Sequence, residues 1–234
     1  MSIKKIITGL TLSMLLASGV ASAANFYTGL IAYQSADYAT ALIEFVPLAE
    51  QGDIDAQYFL GNMYNFGNGV TENDNTAMKW YAKAAEQGDS RAQFALGIMY
   101  DYGNGVPEND KTAVRWFTEA AEQGHAKAQF RLGLMYNLGK GVTKNDKAAV
   151  KWCTLAAEQG NASGQAMLGL MYEYGDGVLT DNRRAYMWYN LASYNGNELG
   201  GINKDKIAKE MTPADISKAQ DMSSLCLESN YTDC

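Results

Sequence analysis

A period of 36 residues runs through this chain and constrains its fold more than any other feature. Gln57, Gln93, Gln129 and Gln165 stand 36 residues apart. So do Gly61, Gly97, Gly133 and Gly169, and so do Tyr64, Tyr100, Tyr136 and Tyr172. Trp80, Trp116, Trp152 and Trp188 complete the set. Aligned without a gap, residues 53–88, 89–124, 125–160 and 161–196 share twelve identical columns. Self-similarity at a fixed period of this size marks stacked supersecondary units, none of which buries its apolar face alone.

Each unit reads as two helices. In the first unit a helix over about 53–66 places Ala56, Leu60, Met63 and Tyr64 on one face at helical spacing. Gly61 sits among them, and a helical glycine costs about 1 kcal/mol relative to alanine. Close approach of a neighbouring helix is the expected compensation. A second helix over about 75–87 carries Ala77, Trp80, Tyr81 and Ala84 as its buried stripe, with Trp80 filling the space between units. The joints repeat as Gly67-x-Gly69-Val70, Gly103-x-Gly105-Val106, Gly139-x-Gly141-Val142 and Gly175-x-Gly177-Val178. Asp74, Asp110, Asp146 and Asn182 then stand as N-caps of the second helices, since Asp and Asn are favoured there. The flanks depart from the pattern. Residues 24–52 read as a degenerate N-terminal repeat with a shortened inter-helix loop. Residues 197–234 read as C-terminal capping helices and a tail. One helix covers 199–210, and another starts at Thr212-Pro213-Ala214-Asp215 and runs to Glu228.

These letters resemble the Sel1-like repeat family, whose pattern is roughly A-Q-x-x-L-G-x-M-Y-x-x-G-x-G-V, then D, then A-x-x-W-x-x-x-A-A-E-Q-G. Ala56 to Gly88 follows it almost letter for letter. The fourth unit departs at Gly164, Ser193 and Tyr194. The resemblance implies an all-α fold, a right-handed α-solenoid of stacked helix pairs related to tetratricopeptide repeats. It also implies an adaptor or scaffold role. Some exported bacterial relatives are linked to β-lactam binding, and others look like immunity proteins that neutralise a toxin.

In such solenoids the first helix of each pair lines the concave side. The stripe between its core positions gives the candidate partner-binding residues. In the first unit these are Asp55, Tyr58, Asn62, Asn65 and Phe66. In the second they are Arg91, Phe94, Ile98, Asp101 and Tyr102, and in the third Lys127, Phe130, Leu134, Asn137 and Leu138. The fourth contributes Ser163, Ala166, Leu170, Glu173 and Tyr174. Aromatics mixed with polar groups suit recognition. The competing reading packs Phe94, Phe130, Ile98 and Leu134 between units and exposes only the polar columns.

Residues 1–23 read as a cleaved bacterial signal peptide. Lys4 and Lys5 are the positive region, Ile6 to Val20 the apolar run, and Ala21-Ser22-Ala23 the cleavage pattern. Localisation is then periplasmic or secreted, with no stable membrane insertion after cleavage. Cutting after Ala23 removes two of 19 basic side chains and none of 26 acidic ones, which leaves a net charge of −9. That excludes a nucleic-acid partner, whose phosphates demand a basic surface. Cys226 and Cys234 are placed to pair in an oxidising compartment and pin the tail. Cys153, in the column of Tyr81, Phe117 and Tyr189, reads as a core residue.

Reactive chemistry is hard to find. His125 is the single histidine, beside a helix start, and the cysteines lack C-x-x-C spacing, so no metal site is expected. The one S-x-x-K match, Ser2 to Lys5, lies in the signal segment. Glu86-Gln87 and its repeats read as helix-end surface residues. The chain is thus expected to be no enzyme and to need no cofactor. Its expected role is a monomeric protein–protein interaction module, an adaptor, scaffold or inhibitor. Three alternatives stand beside it: an immunity protein, a binder of peptidoglycan fragments or β-lactams using Tyr102 and Tyr174, and an envelope hydrolase.

Overall fold

The computed structural model describes residues 24–231 and residue 234, so the signal segment read at 1–23 lies outside the described residues. Every regular element among the described residues is a helix. A first pair, α1 (Phe26–Gln34) and α2 (Tyr38–Glu50), is followed by four longer pairs. These are α3 (Ile54–Phe66) with α4 (Asp74–Glu86), α5 (Ser90–Tyr102) with α6 (Asp110–Glu122), α7 (Ala126–Leu138) with α8 (Asp146–Ala157), and α9 (Ala162–Tyr174) with α10 (Asn182–Tyr194). The chain closes with α11 (Glu198–Ile207), a 3-10 turn (Ala208–Glu210) and α12 (Pro213–Glu228). From α1 to α11 each helix packs on the next in sequence, which makes an α-solenoid.

The helix ends follow from single residues. Asp53, Asp89, His125 and Asn161 cap the first helices, their side chains accepting N–H groups of Ala56, Ala92, Ala128 and Gly164. The second helices start one residue earlier than the sequence suggests. Asn73, Asn109, Asn145 and Asp181 hold the extended cap conformation, and their side chains accept the first free N–H groups. Asp74, Asp110 and Asp146 therefore fall inside the first turn. There their charge meets the positive end of the helix dipole. Asn182 likewise becomes the first helical residue of α10.

Two glycine columns set the packing. A Cβ at Gly97 would lie 2.4 Å from the Phe117 ring, and one at Gly61 would lie 2.4 Å from the Tyr81 ring. The glycine predicted to admit a neighbouring helix admits the second helix of its own unit. At Gly133 the opposing group is the Cys153 Sγ, 2.6 Å away. Cys153 is fully buried there, and burial pushes its thiol pKa up to about 12. The second column joins units. Gly105, Gly141 and Gly177 have φ of +70 to +75°, and a Cβ at Gly141 would lie 2.5 Å from the carbonyl of Asp110. Each Gly-x-Gly loop thus rests on the start of the preceding unit's second helix.

A chain of side-chain amides runs between the units. Gln57 is buried and donates to the Ala49 carbonyl of the preceding pair, while its own oxygen accepts from Gln87 at 2.8 Å. Gln93 repeats this with Ala85 and Gln123, and Gln129 with Ala121 and Gln159. Gln165 repeats it with Ala157 and Asn195. Gln87, Gln123 and Gln159 are exposed helix-end residues, as the sequence suggested, and each also donates its side-chain amide to the buried glutamine of its own unit. Unpaired buried amides are costly, so each unit holds its successor in one register.

The two ends are closed differently. At the N-terminus residues 35–37 replace the long loop, and Glu44 stands where the other units carry tryptophan, its carboxylate accepting the Asn25 N–H. At the C-terminus α12 packs on α10, with Cys226 buried against Met171, Met187 and Trp188 and joined to Cys234. Tyr231 seals the amide chain. Its hydroxyl accepts from the Asn195 amide at 2.9 Å and pairs with the Asn195 oxygen at 3.1 Å.

Candidate protein-binding face

The first helices end in one exposed apolar column. Phe66, Tyr102, Leu138 and Tyr174 are the last residues of α3, α5, α7 and α9, and each is 58–65% exposed. Each precedes a left-handed glycine that stops the helix. The ring or branched side chain is left at the edge where nothing follows to cover it.

The other predicted columns divide. Asp55 and Lys127 are exposed, and Ser163 is half-buried. Arg91 reaches back to Asp55 of the preceding unit, bonds its own cap Asp89, and lies 4.4 Å from the Tyr58 ring centroid. In the next column Tyr58 and Phe94 are half-buried, with Phe94 stacked on His125 at 4.8 Å and 5.8 Å from Phe117. Phe94 and Ile98 pack against the core between the second and third units, so the packed alternative holds for both. Phe130 and Leu134 are half-buried, Leu170 packs beside Tyr186 and Ile207, and Asn62 accepts the Tyr81 hydroxyl at 2.8 Å. Asn65 is half-buried, and Asn137 donates to Asp146.

Two predicted residues do not reach the surface. Asp101 and Ala166 are buried. Asp101 is turned toward the next unit, where Lys140 donates to it at 2.8 Å and Arg131 lies 3.8 Å away. Ala166 has too short a side chain to emerge from between α9 and its neighbours. Arg131 and Lys140 were not among the predicted residues. Arg131 sits 5.6 Å from the Tyr102 ring, and Lys140 bridges Asp101, Glu108 and Asp110. Both stand out in their repeat columns, as a base among Phe59, Ala95 and Met167 and a base among Asn68, Asn104 and Asp176. A similar tie closes the fourth unit, where Glu173 accepts from the Tyr189 hydroxyl at 2.6 Å and from Lys206 at 3.3 Å.

The electrostatics suit binding more than turnover. Asp101 and Glu173 are neutralised by bases, and the carboxylates of Asp101, Glu108 and Asp110 hold Lys140 above the ordinary lysine range, Asp101 most of all. His125 uses its Nδ1 to accept the Ala128 N–H, and burial lowers its pKa. No three His, Cys, Asp or Glu side chains come together as a metal-holding group among the described residues. Two concavities, of about 360 and 510 Å³, lie beside Asp181 and Asp215 and beside Lys111 and Thr143; both are wide open and lined by no residue of the apolar column. Tyr102 and Tyr174 stand two units apart with Leu138 between them, so they form no common stacking pocket. No helix among the described residues is long and apolar enough to cross a membrane.

The Sel1 repeat family model matches residues 54–89, 90–125, 126–161 and 162–197. The chain belongs to the Sel1 repeat family. Sel1 repeats commonly serve protein–protein interaction. This Sel1 repeat protein is similar to a protective antigen present in uropathogenic Escherichia coli strains, with 38% identity and a TM-score of 0.81. The match covers 88% of this chain and 46% of that one, so the chain spans about half the length of that relative. It is also similar to a Sel1 repeat protein from Oxalobacter formigenes, with 38% identity, a TM-score of 0.72 and coverage of 77% and 74%. A Sel1 repeat protein from Klebsiella pneumoniae shares the fold at 22% identity and a TM-score of 0.51, over 78% and 91% of the two chains. No curated protein matches the sequence.

Proposed function

We propose that this Sel1 repeat protein is a non-enzymatic adaptor or inhibitor of the bacterial envelope or exterior that grips another polypeptide along its first-helix face. The exposed column Phe66, Tyr102, Leu138 and Tyr174 carries the reading. The shared columns of the repeat are explained by packing, capping or the amide chain. This one is aromatic or aliphatic in all four units and stays 58–65% exposed, which is how anchor residues of a recognition surface look. Arg131 and Lys206 border it with charged groups that fix the orientation of a partner. The Cys226–Cys234 disulfide and the leader-like residues 1–23 support export.

The test is affinity capture from an envelope extract by the wild type and by Phe66→Ser/Tyr102→Ser/Leu138→Ser. These side chains are exposed, so helicity stays unchanged. One protein enriched by the wild type and depleted at least ~10-fold by the variant is expected, since truncating each anchor costs on the order of 1 kcal/mol or more. Equal enrichment by both proteins would refute the assignment of this face.

A further inference from the structure

We propose that the outer face of the second helices is a separate docking surface for an acidic, extended polypeptide segment. Lys79 and Lys83 on α4, Lys111 and Arg115 on α6, and Lys147 and Lys151 on α8 are all exposed. Within each helix they are four residues apart, on the side away from the buried Ala77, Tyr81 and Ala84 and their equivalents. The 36-residue period sets Lys79, Arg115 and Lys151 in one column along the solenoid and Lys111 and Lys147 in a second, one turn nearer the helix start, while Lys83 lies in the column of Glu119 and Leu155. Most acidic residues of these helices sit at the two ends, Asp74, Asp110 and Asp146 in the first turns and Glu86, Glu122 and Glu158 at the last, with Glu119 of α6 the one exception between them. A basic stripe is left between two acidic margins.

The stripe is unpaired. Among the described residues only Arg115 has a carboxylate within 4 Å, that of Glu119 at 3.9 Å; Lys79, Lys83, Lys111, Lys147 and Lys151 have none. Acids outnumber bases 26 to 19 in this chain, and on the first-helix side Arg91, Arg131, Lys140 and Lys206 all hold carboxylates. Five exposed bases standing free in such a chain are a segregated charge pattern. One base per unit is also held in position by an indole: Lys83 lies 4.2 Å from the Trp80 ring, Arg115 4.5 Å from Trp116, and Lys151 5.0 Å from Trp152. Such placement lowers the ordering cost of binding and leaves that indole face closed to a sugar ring. Carboxylates are the matching groups.

An extended chain advances about 3.3 Å per residue, so acids spaced along one strand meet bases of successive units. The acidic margins decide the shape of the occupant. A duplex or a bilayer is wide enough to bring its phosphates within about 8 Å of the margins, where screening is incomplete. A single polypeptide strand fits inside the stripe.

The experiment uses the purified protein and poly-L-glutamate as the probe, titrated at low and moderate salt. Lys79→Gln/Lys111→Gln/Lys151→Gln is compared with Lys204→Gln/Lys209→Gln/Lys218→Gln, which changes net charge equally. Salt-sensitive binding is expected, weakened at least ~10-fold in the stripe variant, less than ~2-fold in the control, and kept in Lys79→Arg/Lys111→Arg/Lys151→Arg. Duplex DNA and phosphatidylglycerol vesicles are expected not to bind. The proposal is overturned by absence of binding at low salt, by equal loss in the two Gln variants, or by DNA or vesicles binding as tightly as the polypeptide.

Discussion

On the first-helix face Arg91, Arg131, Lys140 and Lys206 each hold a carboxylate of another residue, whereas on the second-helix face Lys79, Lys83, Lys111, Lys147 and Lys151 hold none. The difference tracks burial. Asp101 is buried and Glu173 nearly so, and a carboxylate withdrawn from water must find a donor. Those donors come from the next unit or from α11, so the ion pairs on the inner side help fix how units follow one another. The outer bases stay in water, meet no such demand, and set no register. The bases that meet withdrawn carboxylates are thus structural, and those of α4, α6 and α8 stay available.

The largest expected effect would damage both faces by prising them apart. Gly97→Val places a branched side chain where a single Cβ already meets the Phe117 ring at 2.4 Å. A loss of about 3 kcal/mol is expected, read as a fall in thermal midpoint. A midpoint unchanged within error would mean that α5 and α6 are less tightly joined than the geometry says. Next comes Asp101→Ala, which leaves Arg131 without its carboxylate and Lys140 with only Glu108 and Asp110 at the joint between units. Denaturant unfolding should show a loss of about 1–3 kcal/mol. If the loss instead matched that of an exposed acid such as Asp55, the distinction between the faces would collapse.

A smaller effect belongs to His125. It caps α7 only while Nδ1 is unprotonated, and it is packed on Phe94 with Lys127 and Asp89 nearby. Burial, with help from Lys127, lowers its pKa in the folded state. The unfolded chain therefore takes up the proton first as pH falls. The stabilisation is whole above the ordinary histidine value of about 6.5 and drains as pH drops below it. Its size is that of a cap, about 1 kcal/mol. His125→Asn, which copies the Asn161 cap of α9, should remove this part of the pH dependence. Retention of the full slope in that variant would assign it to the carboxylates. The smallest effect is expected outside. Lys151→Gln should shift stability by less than ~0.5 kcal/mol, as for surface substitutions away from special features. A larger loss would show that the outer bases carry the fold after all.

The fold was legible because a gap-free period places glycine, alanine and tryptophan at the same points of every unit. What the sequence could not fix was phase. Asn73 and Asp74 are both good capping residues, and only the backbone angles show that Asn73 is the cap. The first helix is flanked by neighbours on more than one side, so a 3.6-residue period cannot tell Phe94, which is half-buried in the core, from Tyr102, which is exposed. Gln87 is exposed as expected, but its bond to Gln57 was hidden for another reason. Polar residues at helix ends look solvated, and its partner Gln57 is 30 residues away. The apolar column was within reach of the sequence, because no packing role in the repeat uses it. Arg131 and Lys140 were within reach as well, as charges in columns of other character.

The amide chain from Ala49 to Tyr231 makes the number of units nearly a free parameter. Every full unit offers its predecessor one donor and its successor one carbonyl, always at the same two places. A duplicate of residues 89–124 spliced in after Gly124 would meet the same amide partners at both junctions, and neither the Glu44 end nor the Tyr231 end would notice. Reach along a partner can therefore be set by duplication alone, while each end is made only once.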